Sequence, residues 1–283
     1  MLEEAALQAF IRSALAEDIG SGDHSTLASI PPTTKGQARL KIKEDGILAG
    51  MQVAEAVFKW LDMYTVFKPF KQDGASMKSG EVAFEVEAAI HTLLMGERLV
   101  LNCMQRMSGI ATLTHQYVEK LKGYHTRVLD TRKTTPNFRM LEKEAVRIGG
   151  GVNHRMGLYD MVMLKDNHID FSGGITTAVT KTVAYLKERN LPLKIEVEAR
   201  NLEDVKEVLA VGHVDRIMLD NFTPEQLADA MALINGRLET EASGGITLDT
   251  IEAYAKTGVD FISVGAIIHH AVSLDLSLKA III

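Results

Sequence analysis

One cysteine, Cys103, among 283 residues leaves no partner for an intramolecular disulfide. There is also no CxxC pair and no Cys/His cluster, so the usual spacings of a zinc site are missing. No apolar run approaches the ~18 residues that span a bilayer. The opening stretch, MLEEAALQAFIRSALAEDIG, is acidic and amphipathic and lacks the basic and apolar regions of a secretory signal. Positive charge is short overall. Lys and Arg number 31 against 37 Asp and Glu, a net −6 that argues against general binding to nucleic acid or anionic membrane. These absences predict a cytoplasmic protein with neither nucleic acid nor membrane as partner. At 46% hydrophobic and 24% charged residues, the chain can bury the core of one large domain or of two smaller ones.

Against that acidic background one stretch concentrates positive charge. Between residues 129 and 169, Arg132, Lys133, His154, Arg155 and Lys165 fall on turns and strand ends, beside the glycine run Gly149, Gly150, Gly151. Any one of them alone reads as a solvated surface charge. Five together read as a pocket for anions.

Upstream, apolar residues including Leu7, Phe10, Ile11, Ala14 and Leu15 recur at threes and fours, predicting a surface helix over residues 2–16. In GQARLKIKEDGILAG, Ala38, Leu40 and Ile42 alternate with Arg39, Lys41 and Lys43, the period of a half-buried strand. Residues 51–60 read as a helix, 64–70 and 81–87 as strands, and 91–117 as one long helix carrying Arg98. The expectation is a first domain of mixed helix and antiparallel sheet over residues 1–107, with 271–283 packing back on it or on a subunit interface.

Further on, short branched apolar runs each end in a polar or glycine-bearing turn and are followed by a helix-like segment. RVLD leads to Arg132 and Lys133, MVML to Lys165, LKIEV to Glu198, and RIML to Asp220. RLETEA leads to Ser243, Gly244 and Gly245, and DFISV to Gly265. Strand then helix, repeated at least six times, calls for a parallel sheet with helical crossovers, and closure gives a (β/α) barrel over 108–270. A doubly wound open sheet also accounts for the alternation, but no GxGxxG follows the first strand and polar residues stand at all the strand ends.

In such barrels the chemistry sits where the βα loops converge, at the C-terminal strand ends. ASGGI and SVGAI put small residues between strand and helix, so backbone N–H groups and a helix N-terminus can approach a phosphate. Glu198 and Asp220, at neighbouring strand ends, suit a magnesium ion or ribose hydroxyls, or pair with lysines across the mouth. The planar forks of Arg132 and Arg155 each suit a carboxylate. Lys133 and Lys165 stay open as Schiff-base nucleophiles.

DTRKTTP, GGGVNHRMGLYDMVMLKDNHI, EVEA, LDNF, ASGGI and SVGAIIH, with EDIGSGD and LLMGERLVLNCMQRMSGIAT upstream, together resemble the quinolinate phosphoribosyltransferase family, the carboxylating nicotinate-nucleotide pyrophosphorylases of NAD synthesis. The likeness runs in order along nearly the whole chain, and TRKTTP followed by GGGxNHR and LKDNH is its most specific part. It implies an α/β fold, with an N-terminal α/β sandwich domain followed by an incomplete (β/α) barrel. It also implies transfer of the phosphoribosyl group of 5-phosphoribosyl-1-pyrophosphate to quinolinate with loss of carbon dioxide, assisted by Mg2+. By motif, Thr131, Arg132, His154, Arg155 and Lys165 would hold quinolinate. Lys133, Lys165, Glu198 and Asp220 would face phosphoribosyl pyrophosphate, the two carboxylates also meeting magnesium. Ser243, Gly244, Gly245, Ser263, Gly265, Ala266 and His269 would bind the 5-phosphate. Arg98 would reach into the site of a second subunit, making a homodimer the smallest functional unit, alone or within a hexamer.

A carboxylate held too tightly would resist leaving, so the arginines are expected on the one that stays. Glu144 departs from the family pattern, standing where an aromatic residue is expected, which puts a helix-surface contact in doubt. Two other functions compete. A related barrel transferase for another aromatic acid, as in molybdenum-transport-associated relatives, has the NHR and LKDNH motifs against it. A non-catalytic sensor has Glu198 and Asp220 against it.

Overall fold

The computed structural model describes residues 2–281. The chain begins with α1 (Glu4–Ile19), α2 (His24–Ser29), β1 (Lys35–Ile42), β2 (Gly46–Ile47), α3 (Met51–Leu61), β3 (Val66–Pro69), β4 (Ser76–Met77), β5 (Val82–Ala89) and α4 (Ile90–Lys120). There follow β6 (Arg127–Leu129), α5 (Arg139–Ile148), β7 (Val162–Leu164), α6 (Asp166–Ser172), α7 (Ile175–Arg189), β8 (Ile195–Ala199) and α8 (Leu202–Val211). The chain continues through β9 (Arg216–Asp220), α9 (Pro224–Ile234), β10 (Glu239–Ser243), α10 (Ile251–Ala255), β11 (Phe261–Ser263), α11 (Ala266–His269) and β12 (Leu276–Ile281). No helix among the described residues is long and apolar enough to cross a membrane.

The chain forms two compact units, each assembled from separated stretches. The first takes the chain up to His115, Thr134–Gly150 and the chain from Ile267 onward; the second takes Gln116–Lys133 and Gly151–Ala266. Within the first unit α5 has residues Leu141 to Val146 all buried in spite of three charges among them.

In the first unit an antiparallel sheet runs in the order β12-β1-β5-β3. Ala38, Leu40 and Ile42 are buried, as their alternation requires, and α1 buries Leu7, Ile11 and Leu15 along its apolar stripe. α3 buries Val53, Ala54, Val57 and Phe58, and the Phe58 ring meets Phe84 of β5 edge-on with centroids 6.4 Å apart. β12 lies along β1 with Ile281 opposite Gln37; Ile282 and Ile283, the rest of the apolar tail, lie outside the described residues.

Two buried polar features sit in this unit. Arg106 of α4 donates from Nε and Nη2 to Glu142 Oε1 at 3.1 and 2.9 Å, and from Nη1 and Nη2 to the carbonyls of Ala271 and Ile268 at 2.7 and 2.8 Å. The Glu142 carboxylate, with no exposed surface, also accepts from the N–H and hydroxyl of Thr135 at 2.8 and 2.9 Å. Glu144 is buried as well, contrary to its expected place on a helix surface, and takes a bond from Arg147 Nε at 2.9 Å, which lowers its pKa in opposition to burial.

Cys103 on α4 is 1% exposed, and burial pushes its thiol up to about 12. The thiolate is the reactive form, so native protein at pH 8 is expected to give no colour with Ellman's reagent. After unfolding in guanidinium one equivalent should appear. Prompt reaction of the folded protein would contradict this packing of α4.

The second unit carries all six strands expected from the alternation. They are parallel in the order β6-β11-β10-β9-β8-β7, and Leu129 of β6 also bridges Val152 in parallel. The first strand pairs with the last and with the residue that begins the next stretch, which is the order of a ring. Its one break lies between Val152 and β7, where no ladder is present among the described residues. This is an incomplete barrel.

Candidate active site

Parallel strands end on one side, and there the second unit gathers its expected site residues. The turn after β6 carries Thr131, Arg132 and Lys133, with the Lys133 N–H donating to Thr131 Oγ1 at 3.1 Å. Asp130, with no exposed surface, accepts from the backbone N–H of His154 at 2.8 Å and from Asn153 Nδ2 at 2.6 Å. Asp160 accepts from the N–H groups of Met156 and Gly157 at 2.6 and 2.9 Å. Arg155 thus sits between two carboxylate-anchored turns. Its guanidinium is pulled below its ordinary pKa, first by burial and then by the positive charge of Arg132, against the opposing pull of Glu196 and Asp160. Two guanidiniums near enough to feel one another's charge favour an anion between them.

At the next strand ends Lys165 Nζ lies 3.0 Å from Glu198 Oε2, the lysine partly exposed and the carboxylate nearly buried. This is the pairing across the mouth that the sequence left open. Asp220 accepts from the Ser243 hydroxyl in a very short contact and from Asn221 Nδ2 at 2.6 Å, with no lysine paired to it among the described residues. Gly244 has φ +100°, and a Cβ there would stand 2.2 Å from Asn221 Oδ1, so only glycine lets the loop close over Asn221. Gly245 has φ +61° and open space above it. The ASGGI loop has no helix N-terminus directly behind it, a correction to the expectation: Thr247 and Thr250 form a hydrogen-bonded turn, and α10 begins only at Ile251. Ser263 ends β11, and Gly265 leads into the single turn of α11 that starts at Ala266.

Two expected residues belong to the first unit. Arg98 on α4 is exposed, 3.5 Å from Glu97, and His269 at the end of α11 is exposed with its ring against His270 at 4.3 Å.

Residues that strand-end reading missed lie along the strands. Side chains alternate faces with period two. In β8 the apolar Ile195, Val197 and Ala199 take one face, and Glu196 and Glu198 take the other. Arg216 on β9 and Glu241 on β10 join them, with Arg216 Nη1 3.5 Å from Glu241 Oε2 and Nη2 3.1 Å from Glu239 Oε2.

His154 meets this group. Its Nε2 is 2.9 Å from Glu196 Oε2 and 3.2 Å from Glu241 Oε2, both carboxylates having no exposed surface. Its Nδ1 accepts the Arg155 N–H at 2.6 Å. Both ring nitrogens thus face protein groups.

The state of that ring is set by two competing demands. Burial pushes the imidazole down, but the bonds and charges of the two glutamates outweigh it and raise it to about 9, favouring the charged form. The Arg155 N–H, however, requires a lone pair on Nδ1. A donor facing a donor would leave two buried groups unsatisfied at about 1–3 kcal/mol each. Burial and the charge of Glu241 also raise Glu196, to about 7. The contact of the Arg155 N–H with Nδ1 favours a ring that carries its proton on Nε2 alone, against the pull of the two carboxylates towards the charged form. Burial also raises Glu241, but His154, Ser263 and Arg216 together bring it below its ordinary value. His154, Glu196 and Glu241 offer ligand atoms within 4.8 Å of one another.

Residues 23–108 match the model of the quinolinate phosphoribosyl transferase N-terminal domain, and residues 110–279 match that of its C-terminal domain. The chloroplastic carboxylating nicotinate-nucleotide pyrophosphorylase of Arabidopsis thaliana is 46% identical over 288 residues, spanning 96% of this chain and 82% of that protein. A probable carboxylating nicotinate-nucleotide pyrophosphorylase of Synechocystis is 46% identical over 272 residues, spanning 94% of this chain and 90% of that protein. Among solved structures, NadC from Streptococcus pyogenes superposes with a TM-score of 0.92 at 40% identity, over 99% of this chain and 97% of that one. With both domain models matched in order and a barrel whose strand ends carry the motifs, this chain belongs to the quinolinate phosphoribosyl transferase family.

Proposed function

We propose that this chain transfers the phosphoribosyl group of 5-phosphoribosyl-1-pyrophosphate to quinolinate and releases carbon dioxide, giving nicotinate mononucleotide and pyrophosphate for NAD synthesis. The observation that carries the reading is a group of cations at neighbouring strand ends, Arg132 and Arg155 near enough to feel one another's charge and Lys165 at the end of β7, which between them can meet both carboxylates of quinolinate. Thr131 and Lys165 complete the quinolinate side. Lys133, Lys165, Glu198 and Asp220 serve the phosphoribosyl pyrophosphate, and the loops of Ser243 to Gly245 and Ser263 to Ala266, with His269, serve its 5-phosphate. Arg98 serves the site of a second subunit in a homodimer. A reducing, cytoplasmic setting suits the buried thiol of Cys103.

Glu198 and Asp220 offer only oxygen donors, and the groups around Asp220 include the Ser243 hydroxyl, a set that fits magnesium. When bound, magnesium supplies positive charge to the leaving pyrophosphate. The protein's own part is positioning and charge. Arg132 and Arg155 orient the pyridine ring so that its nitrogen faces the anomeric carbon, and the lysines stabilise an oxocarbenium-like transition state in which negative charge grows on the leaving group. Once ribosylated, the ring nitrogen is cationic and stabilises the carbanion left when the adjacent carboxylate departs. Protonation at that carbon completes the product. A clamp on the departing carboxylate would oppose its loss, so the arginines serve the one that stays.

The test is an assay of purified protein with phosphoribosyl pyrophosphate and magnesium, following quinolinate by absorbance and scoring carbon dioxide. Magnesium-dependent loss of quinolinate with matching carbon dioxide release is expected, and no turnover of nicotinic acid. Turnover of nicotinic acid at a comparable rate would overturn the assignment of substrate.

A further inference from the structure

The interior of a parallel barrel is ordinarily filled by branched apolar side chains. Here two glutamates without exposed surface face one imidazole, with Arg216 and Ser263 grouped around Glu241. Such a group is no more stabilising than an apolar core of the same volume, so stability alone does not account for it. What it does is connect. Glu196 comes from β8 and Glu241 from β10, both converge on His154 Nε2, and His154 Nδ1 holds the backbone N–H of Arg155. At 2.9 and 3.2 Å the two carboxylates act on Nε2 as charges, and a neutral ring whose proton is held on that edge keeps its lone pair on the other. The carboxylates therefore determine which edge can accept.

We propose that Glu196 and Glu241 are positioning residues for quinolinate binding: they hold the proton of His154 on Nε2, so that Nδ1 accepts the Arg155 N–H and fixes the backbone from which the Arg155 guanidinium reaches the substrate. This rests on the reading of Arg155 as a quinolinate clamp. Asp130 supports the same turn from the other side through the His154 N–H, and Asp160 closes it beyond Arg155. With Nδ1 protonated instead, two donors would meet at 2.6 Å, the turn would shift, and the fork of Arg155 would lose its alignment. In a hydrolytic triad the buried carboxylate likewise holds the imidazole in one tautomer and orientation, besides stabilising its charged form.

Two measurements test this. The first uses wild-type protein without substrate: long-range 15N–1H spectra of the histidine rings at neutral pH, with the His154 signals among the nine histidines identified by their loss in His154→Gln. A ring protonated on Nε2 only is expected. An Nδ1-protonated or doubly protonated ring would overturn the proposal, whatever the variants do. The second compares Glu241→Gln and Glu196→Gln with Glu241→Leu and Glu196→Leu. The leucine variants are expected to raise the quinolinate KM about tenfold or more, as loss of an orienting partner does. The KM for phosphoribosyl pyrophosphate should stay unchanged, and the glutamine variants, which keep an acceptor oxygen, should recover part of the loss. A merely structural role would lower the melting temperature and the active fraction and leave the quinolinate KM alone, and that result counts against the proposal. If a leucine variant does not fold, the spectra and the glutamine variants decide. Wild-type protein that fails to turn over quinolinate would overturn the functional reading, while the ring spectra still report on the tautomer.

Discussion

Arg155→Met is expected to lower kcat/KM for quinolinate by about a thousandfold while leaving the KM for phosphoribosyl pyrophosphate within a factor of about two. Removing one partner of a desolvated charge pair costs about 2–5 kcal/mol, and about 4 kcal/mol at the transition state is a factor of a thousand. Stability should move the other way or not at all. Arg155 is already pulled below its ordinary pKa by burial and by Arg132, so an uncharged side chain of similar length relieves a cost in the ligand-free protein. The pairing of a large kinetic loss with an unchanged or higher melting temperature separates a clamp from a packing residue. Arg155→Lys keeps the charge without the fork and should fall between the two. A variant that retains quinolinate turnover within about tenfold of wild type would remove Arg155 from the site.

Arg106→Met is expected to cost about 3–5 kcal/mol of stability, because the Glu142 carboxylate would keep its bonds from Thr135 but lose the Arg106 cation while remaining fully buried. The carbonyls of Ala271 and Ile268 would lose a donor at the same time. Calorimetry should show the melting temperature lower by roughly 10 °C. The double replacement Arg106→Met, Glu142→Met should be less damaging than Arg106→Met alone, since it removes the stranded charge. Equal losses in the single and double variants would mean that the ion pair contributes little and that shape is what matters.

Much of this fold was legible because its signals are local. The alternation of Ala38, Leu40 and Ile42, and the six strand-then-turn units, state their periods within a few residues, and the corresponding strands form. The five cations of the central stretch were found by their position at strand ends, and four of them fall on turns of the second unit with Lys165 capping α6. Glu196 and Glu241 were passed over because the strands were recognised by their apolar halves. The signal was present: parallel strands covered on both faces read as continuous apolar runs, so a glutamate at every second position of IEVEA marks a polar interior. Glu142 and Lys143 give no such signal. LEKEAVR has the composition of a solvated helix, and only partners distant in sequence, Arg106 above all, account for its burial. The assembly of the first unit from three stretches is likewise a property of long-range packing, which periodicity does not encode.

The place of β12 beside β1 has a consequence for biosynthesis. Ribosomes deliver the chain from its N-terminus, so β1, β3 and β5 emerge together, whereas β12 follows about 190 residues later. At roughly 5–20 residues per second the nascent sheet waits tens of seconds with one side of β1 unpaired. An unpaired strand edge is a template for pairing with other chains. The hazard of this protein therefore lies in the interval of its own synthesis, and the alternating Arg39, Lys41 and Lys43 on and just after that strand place charge where a neighbouring nascent chain would otherwise add itself.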